Sequence, residues 1–441
     1  MNSGNIEKIV YLTSGAAGMY CGSCMHDNTL ARALNSRGWD VQLLPTYTPI
    51  RTDETDVSVD QVFFGGINIF LQQKIPLLRH VPAMLDRFLD RPWLIRKVTS
   101  RALETDPTTL GKLANSMLQG MEGNQRKEVI RLCDWLALEA QPSLIMFTNI
   151  LIGGCIPEIK KRLGVPVLVT LQGDDVFLDS LPEPYREQCI AKIKQLCEQV
   201  DGFLVHSEFY KSYMTDYFSI DPAKIQVTPL GIDVEDFINF PTQDSSRNEL
   251  HLGYLARMSP EKGLHHLVDA FIELRRSGQF PNVQLKLAGW MGPQHQMYVD
   301  QQFQKLVAAG LGGEFHYLGA LDRPSKLDFL ASLDLFSVPT EFLEPKGLYL
   351  LEAMASGVPV VQPDHGSFPE LISESRGGLL YEAGNTADLV GRLRELVEDR
   401  EHRHALALAG RQFVLEHRNA EQMSRSTERI LNDCLAVSRG D

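Results

Sequence analysis

Ile9-Val10-Tyr11-Leu12-Thr13-Ser14-Gly15-Ala16-Ala17-Gly18 is a short, β-branched apolar run that breaks into glycines. Such a run reads as a buried strand entering a tight turn. A helical pattern over residues 28–37 follows, Gly38 stops it, and a second apolar run occupies residues 41–44. The opening is therefore β-loop-α-β. The rhythm returns in apolar runs at 144–147, 167–171 and 203–206, with helical periodicity at 128–139 and 186–199 between them. Alternation of this kind predicts a parallel sheet covered by helices on both faces. After Gly231 the pattern breaks, and the polar stretch 241–248 reads as a linker. A second α/β series then begins, with apolar runs at 250–255, 284–288, 315–318, 335–338 and 359–362, and a helical segment spans 407–436. The expected fold is α/β, with two Rossmann-like, doubly wound domains facing each other across a cleft.

Composition agrees. A chain of 441 residues is too long for one ordinary core. An apolar share of 44% and a charged share of 22% belong to a soluble globular protein. No apolar stretch reaches the roughly 20 residues that span a bilayer, and the polar start, Met1 to Lys8, lacks the apolar core of a secretion signal. The expected location is the cytoplasm. A formal charge of -13 argues against a nucleic-acid partner, which demands a basic surface. The seven cysteines have no framework spacing beyond Cys21-x-x-Cys24. Cys21, Cys24 and His26 resemble half a zinc site, but no second pair follows at finger spacing, so free thiols in a glycine-rich loop are expected, and no metal.

The chemistry concentrates further on. Glu344-Pro345-Lys346-Gly347-Leu348-Tyr349-Leu350-Leu351-Glu352 sets two glutamates seven residues apart, the first in a loop and the second on a helix expected to begin near Lys346. Gly347 lets a ligand approach the first helical turn, where free amides and the helix dipole favour phosphate. Glu352 could accept from paired ribose hydroxyls and Glu344 from sugar hydroxyls, since ionised carboxylates only accept. Solvated glutamates on a capped helix would explain that stretch alone. A second element makes that reading improbable. Leu252-Gly253-Tyr254-Leu255-Ala256-Arg257 is a strand ending in a cation, followed by Ser259-Pro260-Glu261-Lys262-Gly263 and a helix. Arg257 and Lys262 thus sit at the carboxyl end of their domain's first strand, where doubly wound sheets bind ligands. Two fixed cations can stabilise a departing diphosphate without a metal.

The Arg257/Lys262 loop and the Glu344-x7-Glu352 motif resemble those of glycosyltransferase family 4, which has the GT-B fold. Val227-Thr228-Pro229-Leu230-Gly231-Ile232-Asp233 and Ala288-Gly289 are similar to the family's corresponding segments. The resemblance implies a retaining hexosyl transfer from a nucleotide-diphosphate sugar, with Arg257 and Lys262 on the diphosphate, Glu344 on the donor sugar and Glu352 on the ribose. It implies an N-terminal acceptor domain over 1–235, a donor domain over 236–415, and a C-terminal helix over 416–441 crossing back to the N-terminal domain. Lys346, Leu348 and Gly289 would join Gly347 in holding the donor. Gly15 and Gly18 fit the family's N-terminal loop, whose amides line the cleft. No cofactor is implied.

One position departs from the family. In Thr170-Leu171-Gln172-Gly173-Asp174-Asp175-Val176 a histidine commonly stands where this chain has Gln172. Glutamine can still hydrogen-bond a sugar hydroxyl but cannot take a proton at neutral pH. Asp174 and Asp175 are candidates for sugar binding or for accepting the acceptor's proton, or else form a helix cap. His26 is a further candidate base. The acceptor is expected to be a saccharide or a lipid-linked sugar. Residues 74–101 carry Lys74, Arg79, Arg87, Arg91, Arg96, Lys97 and Arg101 among apolar residues, a pattern suited to an anionic membrane surface. Pro76, Pro82 and Pro92 favour instead a helical insertion packed on the domain. A sugar phosphorylase, a sucrose- or glycogen-synthase-like enzyme and a noncatalytic nucleotide-sugar binder are the rival readings. A nicotinamide dehydrogenase is disfavoured, because the second strand ends in Leu44-Pro45 with no acidic residue for a ribose.

Overall fold

The computed structural model describes residues 7–15, 21–59, 62, 106–240 and 249–440. Gly18, the polar stretch 241–248 and the basic segment 74–101 lie outside them. The chain divides into two compact units, one of residues 1–228 with 423–441 and the other of residues 229–422.

The first unit holds a six-stranded sheet in the order β2-β1-β3-β4-β5-β6. Its strands are β1 (Lys8–Thr13), β2 (Asp40–Pro45), β3 (Leu144–Phe147), β4 (Val167–Thr170), β5 (Gly202–Val205) and β6 (Ile225–Val227). Every pairing is parallel. The central strands are buried on both faces, which is why they read as continuous apolar runs instead of alternating ones. One face packs on a core that includes Val10, Leu12, Phe147 and Val169. The other holds Ile9, Tyr11 and Met146 against Leu30 and Leu34 of the helix Gly22–Ser36, and against Met423, Leu431 and Leu435 of the last helix, Ala420–Arg439.

The second unit repeats the plan in the order β12-β11-β10-β7-β8-β9. These strands are β7 (Leu250–Leu255), β8 (Val283–Ala288), β9 (Phe315–Tyr317), β10 (Leu335–Phe336), β11 (Val360–Pro363) and β12 (Gly378–Tyr381), again all parallel. In each sheet the chain fills one side of the first strand, then returns to fill the other. The strand order therefore reverses between β1 and β3 in one sheet and between β7 and β10 in the other. A doubly wound sheet opens a crevice for ligands at that reversal.

Three elements differ from the sequence reading. The first helix begins at Gly22, not near Asn28, so Cys24 and His26 stand on its first turns and not in a glycine-rich loop. Packing of Cys24 into the core outweighs the weak helix propensity of the Gly22-Ser23 start. The helix expected near Lys346 begins at Leu348, because Gly347 has φ +70° and stands outside the helix as its N-cap. The C-terminal segment is two helices, Arg400–His417 and Ala420–Arg439. They part where Ile232 donates to the Arg418 carbonyl at 3.0 Å and accepts from the Ala420 amide at 2.8 Å.

Candidate active site

In the second unit the loop after β7 is held by its own tyrosine. Buried Tyr254 donates to the Arg257 carbonyl at 3.1 Å, and its hydroxyl lies 3.4 Å from that of Lys262. The turn points the two cations differently. The Arg257 side chain is 46% exposed, with Glu261 at 3.4 Å, so it is available to an arriving anion. Lys262 runs inward, over the rings of Phe342 and Tyr349, and donates to Glu344 Oε2 at 2.8 Å. Glu344 also accepts from the Tyr349 hydroxyl at 3.0 Å and from the Gly347 amide at 3.3 Å. Burial alone would push the Glu344 carboxyl up. Lys262, then Tyr349 and Gly347, outweigh it and hold the group below its ordinary value. Glu344 is an acceptor-only carboxylate at neutral pH.

Gly347 leads into the helix Leu348–Ala355, and no side chain caps that N-terminus. Lys346 is buried beside it. Glu352, on the same helix, is buried and its Oε1 is ion-paired with Lys326, a partner the sequence reading missed. Gly289 follows β8 with φ +143°, and a Cβ there would stand 1.7 Å from the Ala256 carbonyl oxygen. Only glycine lets that loop pass so close to the end of β7. Seven predicted residues, Arg257, Lys262, Gly289, Glu344, Lys346, Gly347 and Leu348, thus belong to loops and helix starts at the carboxyl end of this sheet, with Glu352 one turn further along.

The first unit has its own polar cluster at the β1/β3 reversal. Its centre is Asp27, fully buried and missed by the sequence reading. It accepts from Tyr11 at 2.6 Å, Thr13 at 2.7 Å, Thr148 at 2.5 Å and Gln172 Nε2 at 3.2 Å. His26 Nδ1 lies 3.2 Å from the same carboxylate. Burial would push Asp27 up, but His26, Thr148 and Tyr11 hold it below its ordinary value. Gln172 Nε2 is also within 2.9 Å of the Thr148 carbonyl and hydroxyl oxygens, so its amide is turned into this network. The His26 ring meets that of His206 edge-on, with centroids 4.5 Å apart.

Asp174 serves the backbone, accepting from the amides of Ile150 at 2.8 Å and Gln172 at 3.0 Å. Burial pushes its carboxyl up to about 7, against the pull of those two amides. Asp175 accepts from Tyr210 at 2.5 Å and is likewise raised by burial. Gly15 closes β1 with φ +79°, and a Cβ there would stand 1.8 Å from the Thr48 carbonyl oxygen. Of the predicted residues in this unit, His26 and Gln172 meet at Asp27, and Asp174 and Asp175 stand behind Gln172. Among the described residues one group of three converges as metal ligands would, His265, His266 and Glu341, and Cys21, Cys24 and His26 form no such group.

Two doubly wound parallel sheets, each carrying charged or polar side chains at its reversal, place the chain in the GT-B class of folds. Sucrose-phosphate synthase from Thermosynechococcus elongatus shares this fold with a TM-score of 0.70 at 18% identity, over 98% of this chain and 100% of that one. HepE of Anabaena, solved with UDP-glucose, does so with a TM-score of 0.66 at 17% identity, over 97% of this chain and 100% of that one. The family model for glycosyl transferases group 1 matches residues 237–413, and that for glycosyltransferase family 4 matches residues 123–236. The chain belongs to this family and is a glycosyltransferase. It is 25% identical to glycogen synthase of Mycobacterium tuberculosis over 324 residues, 73% of this chain and 72% of that protein. It is also 25% identical to a GDP-mannose-dependent monoacylated alpha-(1-6)-phosphatidylinositol monomannoside mannosyltransferase of Corynebacterium glutamicum, over 60% of this chain and 69% of that one.

Proposed function

We propose that this enzyme retains anomeric configuration while transferring a hexose from a UDP- or GDP-sugar to a saccharide or lipid-linked acceptor, without a metal. The observation that carries the reading is the buried Lys262–Glu344 pair beside an uncapped helix N-terminus, with Arg257 exposed on the same loop. A diphosphate leaving group gains negative charge as the glycosidic bond breaks. Arg257, the Lys262 ammonium and the Leu348 amide at the helix N-terminus supply fixed positive charge for it, the task a divalent ion performs elsewhere. Glu344 accepts from hydroxyls of the donor sugar. Glu352 keeps Oε2 for the ribose while Lys326 takes Oε1. The leaving phosphate assists deprotonation of the acceptor on the same face, which needs no covalent nucleophile.

The acceptor-side groups are His26, Gln172 and Asp175. A neutral glutamine fits hydroxyl recognition and gives no proton transfer at that position. Both donor bases have support, since HepE was solved with UDP-glucose and the Corynebacterium relative is named for GDP-mannose. No described helix is long and apolar enough to cross a membrane. A lipid-linked acceptor would be met through residues 74–101 at the cytoplasmic membrane face. Cosedimentation with anionic vesicles that survives neutralising those lysines and arginines would remove that part of the reading.

The deciding experiment screens uridine, guanosine and adenosine diphosphate sugars by thermal shift and by donor hydrolysis, all with chelator present. One donor is expected to stabilise the wild type and to be hydrolysed slowly, with both effects lost in Glu344→Ala and Arg257→Ala. The anomer of the product, read by NMR, tests retention. If no nucleotide sugar binds, the proposal fails.

A further inference from the structure

Among the described residues, transfer chemistry leaves unused a cluster of titratable side chains that could hold a metal. His265 and His266 stand on the first turn of the helix Leu264–Arg276, and Glu341 lies on the loop after β10. Consecutive residues on a helix project about 100° apart, so neighbouring histidines ordinarily diverge. Here both turn to one carboxylate. Nε2 of His265 is 3.1 Å and Nε2 of His266 3.3 Å from Glu341 Oε1, and the imidazole centroids are 4.0 Å apart. The three donor atoms lie within 4.8 Å of one another. Two ligands of a tetrahedral zinc ion, each bonded at about 2.0–2.1 Å, stand roughly 3.3–3.4 Å apart. The two imidazole-to-carboxylate separations are close to that edge, and flexible side chains can supply the adjustment between the imidazoles, whose nitrogens lie within 4.8 Å of each other.

The surroundings suit a metal too. A ligating imidazole is oriented by a partner on its other nitrogen. Tyr298 provides one, with its hydroxyl 2.8 Å from His265 Nδ1 and 3.1 Å from the His265 amide that donates to it. The Glu341 backbone is fixed by its amide donating to the Glu261 carbonyl at 3.0 Å. The side chains of His265 and Glu341 are 24% and 50% exposed, which leaves water access to a fourth position.

We propose that His265, His266 and Glu341 bind a divalent transition ion of the zinc class, with water completing the shell, apart from the transfer chemistry. Two imidazoles and one carboxylate suit zinc, cobalt, nickel or copper. Magnesium and calcium instead take shells of oxygen. His265 is three residues after Lys262 and Glu341 three before Glu344, so the ion ties together the two loops that carry the buried pair.

The test is calorimetric titration of the metal-free full chain with zinc chloride, and separately with magnesium chloride. One equivalent of zinc is expected to bind, at least tenfold more tightly than to His265→Ala/His266→Ala and to Glu341→Gln. Magnesium should give no comparable heat. The replaced side chains are partly exposed, so metal-free melting of the variants should match wild type, which separates a lost site from a lost fold. Cobalt offers a second readout, since a tetrahedral site gives an intense visible band that the variants should lack. Equal zinc affinity in the variants, zinc binding abolished by Cys21→Ser/Cys24→Ser instead, or no zinc binding at all would each overturn the assignment.

Discussion

The Lys262–Glu344 pair sets a definite expectation for a single side chain. Lys262→Met keeps the stem that packs over Phe342 and Tyr349 but removes the charge. Transition-state charge on the diphosphate then loses one fixed partner, and kcat/KM should fall about 10²–10³-fold, roughly 2.7–4 kcal/mol. The same change removes the strongest influence holding Glu344 down, so burial prevails and its carboxyl rises. The acid limb of the kcat/KM profile should move to higher pH in the variant, and an unmoved limb would show that Glu344 does not titrate with activity. Asp174 predicts the opposite sign for stability. Its carboxyl is raised from 3.8 to about 7 in the folded state. The folded chain therefore holds a proton that the unfolded chain has released. This contribution is fully present below about pH 4 and is lost as pH rises through about 7. Asp174→Asn should flatten that slope in urea titrations. It should also cost about 1–3 kcal/mol, because an amide cannot accept at both oxygens from Ile150 and Gln172. Glu344, Lys262 and Arg257 were legible in the sequence because motif and spacing are local. Asp27 was not, since Thr148 is 121 residues away and nothing nearby marks Asp27 as a hub. Lys326 was hidden for the same reason, 26 residues from Glu352.

Elements position these side chains, and glycines at strand ends decide how closely their loops pass. Gly289→Ala would set a Cβ 1.7 Å from the Ala256 carbonyl oxygen, in a backbone conformation that a side chain disfavours. Backbone, not a flexible side chain, stands in the way, so the turn after β8 must move away from β7. The expected loss exceeds about 3 kcal/mol, with weaker donor binding because Arg257 follows Ala256 directly. Denaturant unfolding and donor thermal shift would measure the two effects, and a variant as stable as wild type would show that the loops relax freely. Strands β1 to β5, β7, β8, β10 and β11 were legible as apolar runs because strands of a parallel sheet are largely buried, and β9 was legible although none of its three residues is fully buried. Of the four edge strands, β2 and β9 were legible and β6 and β12 were not, for different reasons. β6 has three residues, only one of them fully buried, and the two middle residues of β12 are only partly covered. The early start of the first helix was likewise invisible, since it depends on what Cys24 packs against.

At the scale of the whole chain, the last helix decides the integrity of the first unit. Ala420–Arg439 begins in residues assigned to the second unit and ends in the first. There Met423, Leu431 and Leu435 are buried with Ile9, Tyr11 and Leu34, although more than 380 residues separate them along the chain. Glu428 adds an ion pair with Arg37 and accepts from the Trp39 indole at 3.1 Å. Periodicity shows an amphipathic helix here but not which sheet it covers, because it reports a face and not its partner; its return to the N-terminal domain came from the family resemblance alone. Leu431 is fully buried, so Leu431→Ala should cost about 2–5 kcal/mol through lost contact and the cavity left behind. That cost belongs to the unit of residues 1–228, although the substitution lies 203 residues beyond its main segment. Hydrogen exchange would locate it. Amides of β1 and β2 should exchange faster in the variant while those of β7 and β8 keep their protection. Loosening confined to β7 and β8, or no change in either sheet, would mean that the C-terminal helix does not hold the first sheet.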